Sequence, residues 1–175
     1  QDFTEFHRKH YHPSNSRLFL YGDGDTQSYL DFLQEKYLHD FAHMEVNTSI
    51  VHQRSFRKPK RKPMSYPVSS DESLEKKTYV LVGYKLDKAI NHEHCLGFSI
   101  LSHLLLGSSA SPLRKALITS ELGSEVMGGG FDDNRADTMF AVGLKGTELE
   151  HENDILALID STLRELVENG IEKNM

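Results

Sequence analysis

Residues 125–145 read EVMGGGFDDNRADTMFAVGLK. Two strand-like runs, Glu125–Phe131 and Thr138–Lys145, flank the polar stretch Asp132–Asp137. Their order and short link predict an antiparallel hairpin. Just upstream, Ser111-Pro112 opens a predicted helix, with Ser at the N-cap and Pro at the first helical position, where its missing N–H costs nothing. That helix carries Leu113, Ala116 and Leu117 and stops at Gly123. The helix before it starts at Asn91 or His92, holds Leu96, Ile100, Leu101, Leu104 and Leu105, and stops at Gly107. Lys77–Leu86, rich in Val, Tyr and Leu, predicts a further strand. Downstream, Leu156, Ile159, Leu163, Leu166 and Val167 recur at helical spacing until Gly170.

Further out, the periodicity changes. From Val46 to Ser73 it fails, three of the five prolines (Pro59, Pro63, Pro67) occur, and Arg54, Arg57, Lys58, Lys60, Arg61 and Lys62 crowd together. An extended basic arm over residues 46–74 is expected. Arg17–Tyr21 predicts a short strand ending in the turn Gly22-Asp23-Gly24-Asp25. Asp25 can cap a helix whose apolar face is Leu30, Leu33, Tyr37, Leu38 and Phe41. Residues 1–16 read as the end of a preceding helix and a turn. The expected order is β-α-arm-β-α-α-β-β-α. It describes one α+β domain over residues 1–175, with helices packed on one face of a mainly antiparallel sheet. The chain is expected to be an excerpt of a longer one, with any targeting signal outside it.

Composition narrows the function classes. Hydrophobic residues make up 38% and charged residues 26%, the balance of a globular domain. The net charge of -6 gives no overall attraction to nucleic acid or acidic lipid. No apolar run approaches the roughly 20 residues of a membrane span. Cys95 is alone and cannot form an internal disulfide, which favours a reducing compartment.

Ten histidines require a search for metal sites. His39 and His43 stand four apart, but His-Asp-Phe-Ala-His lacks the Glu of either zincin spacing. His92, Glu93, His94 and Cys95 are consecutive, so on a helix they splay by about 100° each and cannot converge on one ion. The basic stretch Arg54–Lys62 has one interleaved aromatic, Phe56, and no second nucleic-acid element; a solvated arm, or one packed on an acidic neighbour, is expected. Gly128-Gly129-Gly130 lacks the Lys-Ser/Thr and the helix of a phosphate loop, and predicts a bulge or a close approach. No nucleophile elbow is present. The residues alone thus describe an α+β domain with no visible active site.

Three collinear segments add to this. Phe6–Arg17 (FHRKHYHPSNSR) runs into Phe19-Leu20-Tyr21-Gly22-Asp23; Leu105–Leu117 reads LLGSSASPLRKAL; and Leu122-Gly123 leads through the triple glycine to Phe140–Gly146 (FAVGLKG). Together they resemble the presequence-protease and falcilysin branch of the pitrilysin–insulinase family of inverzincin metallopeptidases, over nearly the whole chain. The resemblance implies a parent of four related α+β units closing on a chamber. Zinc would be held in the first unit by His-x-x-Glu-His and a distant Glu. This chain matches the second unit, has no such motif, and is expected to be inactive alone, with no catalytic residue and no metal of its own. The implied partners are the other domains of the same chain and peptide substrates such as cleaved targeting sequences, without nucleic acid or a membrane span. The implied location is mitochondrial or another organelle. Ser109, Ser111, Gly128, Gly129 and Gly130 are expected to pack against a neighbouring unit or the chamber. The alternatives are an inactive structural relative, such as a respiratory-complex core protein or processing-peptidase partner, and a nucleic-acid-binding module using the basic arm.

Overall fold

A computed structural model describes residues 2–171, and the chain divides into two compact units, Gln1–Val51 and His52–Met175. In the first, helix α1 (Asp2–His10) leads to a short 3-10 turn at Pro13–Asn15. Helix α2 (Thr26–Leu33) follows and continues as a π-helical turn over Gln34–Leu38. Asp25 caps α2 as the sequence predicts: its carboxylate accepts from the Ser28 N–H at 2.8 Å and the Ser28 hydroxyl at 2.6 Å. The predicted strand Arg17–Tyr21 is not formed. Its residues are exposed and unpaired, and a strand exists only where another strand takes its hydrogen bonds. The observed order is therefore α-α-arm-β-α-α-β-β-α. No described residue of this unit is buried.

The second unit holds the core. Strands β1 (Thr78–Lys88), β2 (Glu125–Asp132) and β3 (Asp137–Thr147) form an antiparallel sheet in the order β1-β3-β2. The predicted hairpin is β2–β3, and β1 joins the far side of β3 through pairs such as Val80↔Leu144 and Val82↔Val142. Strand period puts Val80, Val82, Val142, Leu144 and Val126 on one face. Helices α3 (His92–Leu106), α4 (Pro112–Thr119) and α5 (Glu152–Asn169) cover that face, giving the expected α+β class. Leu113, Leu117, Ile155 and Ile159 have no exposed surface. Each contributes about 1.5–3 kcal/mol through burial. β3 is paired on both edges, and Ala141–Leu144 within it is wholly buried.

Over residues 46–74 the arm carries no helix or strand, as expected. From His52 onward it is fastened to its own unit. The His52 ring meets Asp137 at 3.1 Å and the Gln53 N–H donates to the same carboxylate at 2.6 Å. Arg61 grips Glu152 with two hydrogen bonds of 2.6 and 2.7 Å. The Lys76 N–H donates to Glu148 at 2.6 Å, and the Tyr66 hydroxyl donates to the Lys77 carbonyl.

Candidate functional site

The α3–α4 junction is built by Ser111. Ser111 is the N-cap residue of α4 and Pro112 sits at its first helical position, as the sequence predicts. Its side chain, however, makes no capping bond into α4. Its hydroxyl accepts from the Ser108 N–H at 3.1 Å and reaches the His103 carbonyl at 3.5 Å, so it ties off the end of α3 instead. Arg114 adds a 3.5 Å bond to the Leu106 carbonyl. Ser111 is buried, whereas Ser109 is exposed.

The triple glycine sits where β2 slips by one residue against β3, since Met127 faces Gly143 but Gly130 faces Ala141. All three glycines have positive φ. A Cβ on Gly128 would lie 2.5 Å from the Ala141 carbonyl oxygen, and one on Gly130 would lie 2.1 Å from Ser102 Oγ. The bulge thus presses β2 onto β3 at one residue and onto α3 at another. Ser102 exploits the approach by accepting from the Phe131 N–H at 3.0 Å, and Phe131 stacks on Phe98 of α3. Gly129 differs: nothing stands within 4 Å of where its Cβ would be. Of the five predicted packing residues, Ser111, Gly128 and Gly130 make close internal contacts, while Ser109 and Gly129 face open space.

The histidine groups do not assemble. His39 meets the adjacent Asp40, at 3.1 Å. His94 pairs with Asp87 at 2.5 Å, where Asn91 also donates at 2.8 Å, and Cys95 is buried beside the Ala89 carbonyl. Among the described residues, no three His, Cys, Asp or Glu side chains gather in a way that could hold a metal ion.

Sequence reasoning missed the acidic anchors. The Lys88 N–H, then His94 and Asn91, hold the Asp87 carboxyl below the usual carboxylate range. Asp137 is lowered first by the Gln53 N–H and then by His52 and Lys85, and Glu152 is lowered by Arg61. The arm residues that hold Asp137 and Glu152 (His52, Gln53 and Arg61) lie 84 to 91 residues from them in sequence, so no local spacing could have announced them. The one available signal was compositional: a basic arm in an otherwise acidic chain.

With no reactive group assembled among the described residues, the second unit is defined by its packing: a sheet, a helical layer and two glycine- and serine-built joints. Comparison with known proteins gives this class its family. The family described as the Peptidase M16 inactive domain matches residues 1–174, and the chain belongs to that family. Its relatives include Protein HypA of Clostridium perfringens, 40% identical over 175 residues, 100% of this chain and 18% of that protein. Presequence protease 1, chloroplastic/mitochondrial, of Arabidopsis thaliana is 39% identical over 177 residues, 99% of this chain and 16% of the relative. The mitochondrial presequence protease of Xenopus laevis is 33% identical, covering 98% of this chain and 17% of its own length. The chain therefore spans about a sixth of these relatives, as a non-catalytic domain of an M16 peptidase.

Proposed function

We propose that the chain is a wall-forming domain of a zinc metalloendopeptidase that degrades unfolded peptides, including cleaved targeting sequences, in a closed chamber inside an organelle. The observation that carries this is the match of 98–99% of the chain to proteins named presequence proteases of plants and animals. Among the described residues no group fits a zinc site, so the metal would be held elsewhere in the parent. The domain's contribution is shape. It keeps a surface in place against the other domains, and an enclosed chamber admits a flexible chain while excluding a folded one. Ser109 and Gly129, the two predicted packing residues with open surroundings, are the ones left to meet a neighbouring domain.

The test is to incubate the full-length parent with an unstructured peptide of presequence length and with a folded protein, with and without a zinc chelator. Chelator-sensitive cleavage of the peptide alone is expected, and residues 1–175 in isolation should cleave neither. A parent inert toward every unstructured peptide offered would instead make this a domain of an inactive structural relative. Replacing Gly129 with Val should lower the parent's activity or stability; no change in either would remove Gly129 from the packing surface.

A further inference from the structure

Arg54, Arg57, Lys58, Lys60, Arg61 and Lys62 put six cations into the nine residues 54–62, with no acid among them. The whole chain has a formal net charge of -6, so everything outside this run carries -12. Among the described residues, Arg61 is the only one of the six in an ion pair, with Glu152. Lys60 sits over the Phe56 ring, 5.3 Å from its centroid, and the whole run is exposed. The run is nevertheless not a free tail. His52 and Gln53 hold one end on Asp137, and Arg61 holds the other on Glu152. Between these anchors the backbone bends at Arg57-Lys58. A loop fastened at both ends loses less conformational freedom on binding than a tail of the same composition.

We propose that residues 54–62 are a docking loop for the surface of an anionic membrane, with lipid phosphates as the ligands. Charge complementarity calls for a polyanion, and basic clusters of this size are drawn to anionic headgroups. Three observations select a membrane among polyanions. Apolar side chains accompany the cations: Phe56 lies within the run and Met64, 79% exposed, follows it. Such side chains have no role against phosphates alone but enter the headgroup boundary of a bilayer. Nucleic acid would need a helix or strand to enter a groove, or aromatic faces on which bases stack. The loop has no regular structure, and the face of its one aromatic is taken by Lys60. A folded acidic partner would need cations at fixed spacings, whereas headgroups diffuse within the bilayer and adapt to a bent, irregular backbone. The acidic remainder of the chain is repelled by the same surface, so contact is confined to the loop. Docking of this kind lays the protein on a membrane without crossing it, and it does not rest on the parent being a peptidase.

Vesicle sedimentation with the full-length parent tests it. The parent should sediment with vesicles of about 30% phosphatidylglycerol in phosphatidylcholine and not with vesicles of phosphatidylcholine alone. Raising the salt from about 0.05 M to about 0.3 M should weaken that binding by about tenfold or more. A quadruple variant, Arg54→Gln, Arg57→Gln, Lys58→Gln and Lys60→Gln, removes four cations and leaves both anchors in place. It should bind the anionic vesicles about 100-fold more weakly, with the melting temperature of the parent unchanged. Equal binding to both kinds of vesicle, binding to neither, or a quadruple variant that binds like the parent would each overturn the proposal. Salt-dependent binding to duplex DNA or single-stranded RNA without binding to anionic vesicles would also overturn it and assign the loop to nucleic acid. Vesicle binding is read without peptidase activity, so the docking proposal and the enzymatic reading can fail separately.

Discussion

Gly130 adopts φ +78 where β2 touches α3, and a methyl group there would meet Ser102 Oγ at 2.1 Å. Gly130→Ala is therefore opposed twice, by backbone conformation and by contact. A loss of about 1–3 kcal/mol is expected, read as a lowered urea midpoint. Gly130→Ala combined with Ser102→Gly should recover only part of the loss, because the backbone strain stays and the Phe131 N–H loses its acceptor. Full recovery would mean that contact alone matters. The sequence already pointed to a bulge or close approach at this glycine run, since three consecutive residues without side chains cannot be explained by core packing. It could not say which glycine was used for what. That division depends on where Ala141 and Ser102 arrive, and both come from other elements.

The arm is an element without regular structure, and its position comes from carboxylates. Asp137 and Glu152 have lowered pKa values when folded, so their stabilising contribution is present above the unfolded values near 4 and is lost as pH falls through the folded ones. Below about pH 4 the arm should loosen, seen as faster exchange of the Gln53 amide. Asp137→Asn keeps an acceptor for that amide but should flatten the acid dependence. At neutral pH, Arg61→Ala should leave the melting temperature nearly unchanged, because Arg61 is exposed, yet raise tryptic cleavage within 54–62 severalfold. Unchanged cleavage would show that the clamp does not restrain the arm. The helices and hairpin of the second unit were legible because their signals are local: Asn91 and Gly107 bound α3, Pro112 starts α4, and a short polar link joins β2 to β3. The arm's route was illegible because ion pairs between distant residues leave no periodicity. Arg17–Tyr21 was expected to form a strand and forms none, which separates the propensity of a segment from the availability of its partner.

At the scale of the molecule, the two units differ in kind: one has a core, and no described residue of the other is buried. The sheet order β1-β3-β2 also has a consequence for biosynthesis. β1 and β2 both hydrogen-bond to β3 and not to each other, and β3 is the last of the three to leave the ribosome. About sixty residues separate the end of β1 from the end of β3, roughly 3–12 s at ordinary elongation rates. Throughout that interval β1 waits as an unpaired edge, beside an α3 that already exposes Leu96 and Ile100. Nascent chains arrested with β2 emerged but β3 still in the exit tunnel should remain protease-sensitive and recruit chaperones, while chains arrested after α5 has emerged should resist digestion. Gradual acquisition of resistance along the chain would contradict this. Translation speed across residues 125–147 is thus a variable that acts on the yield of folded protein.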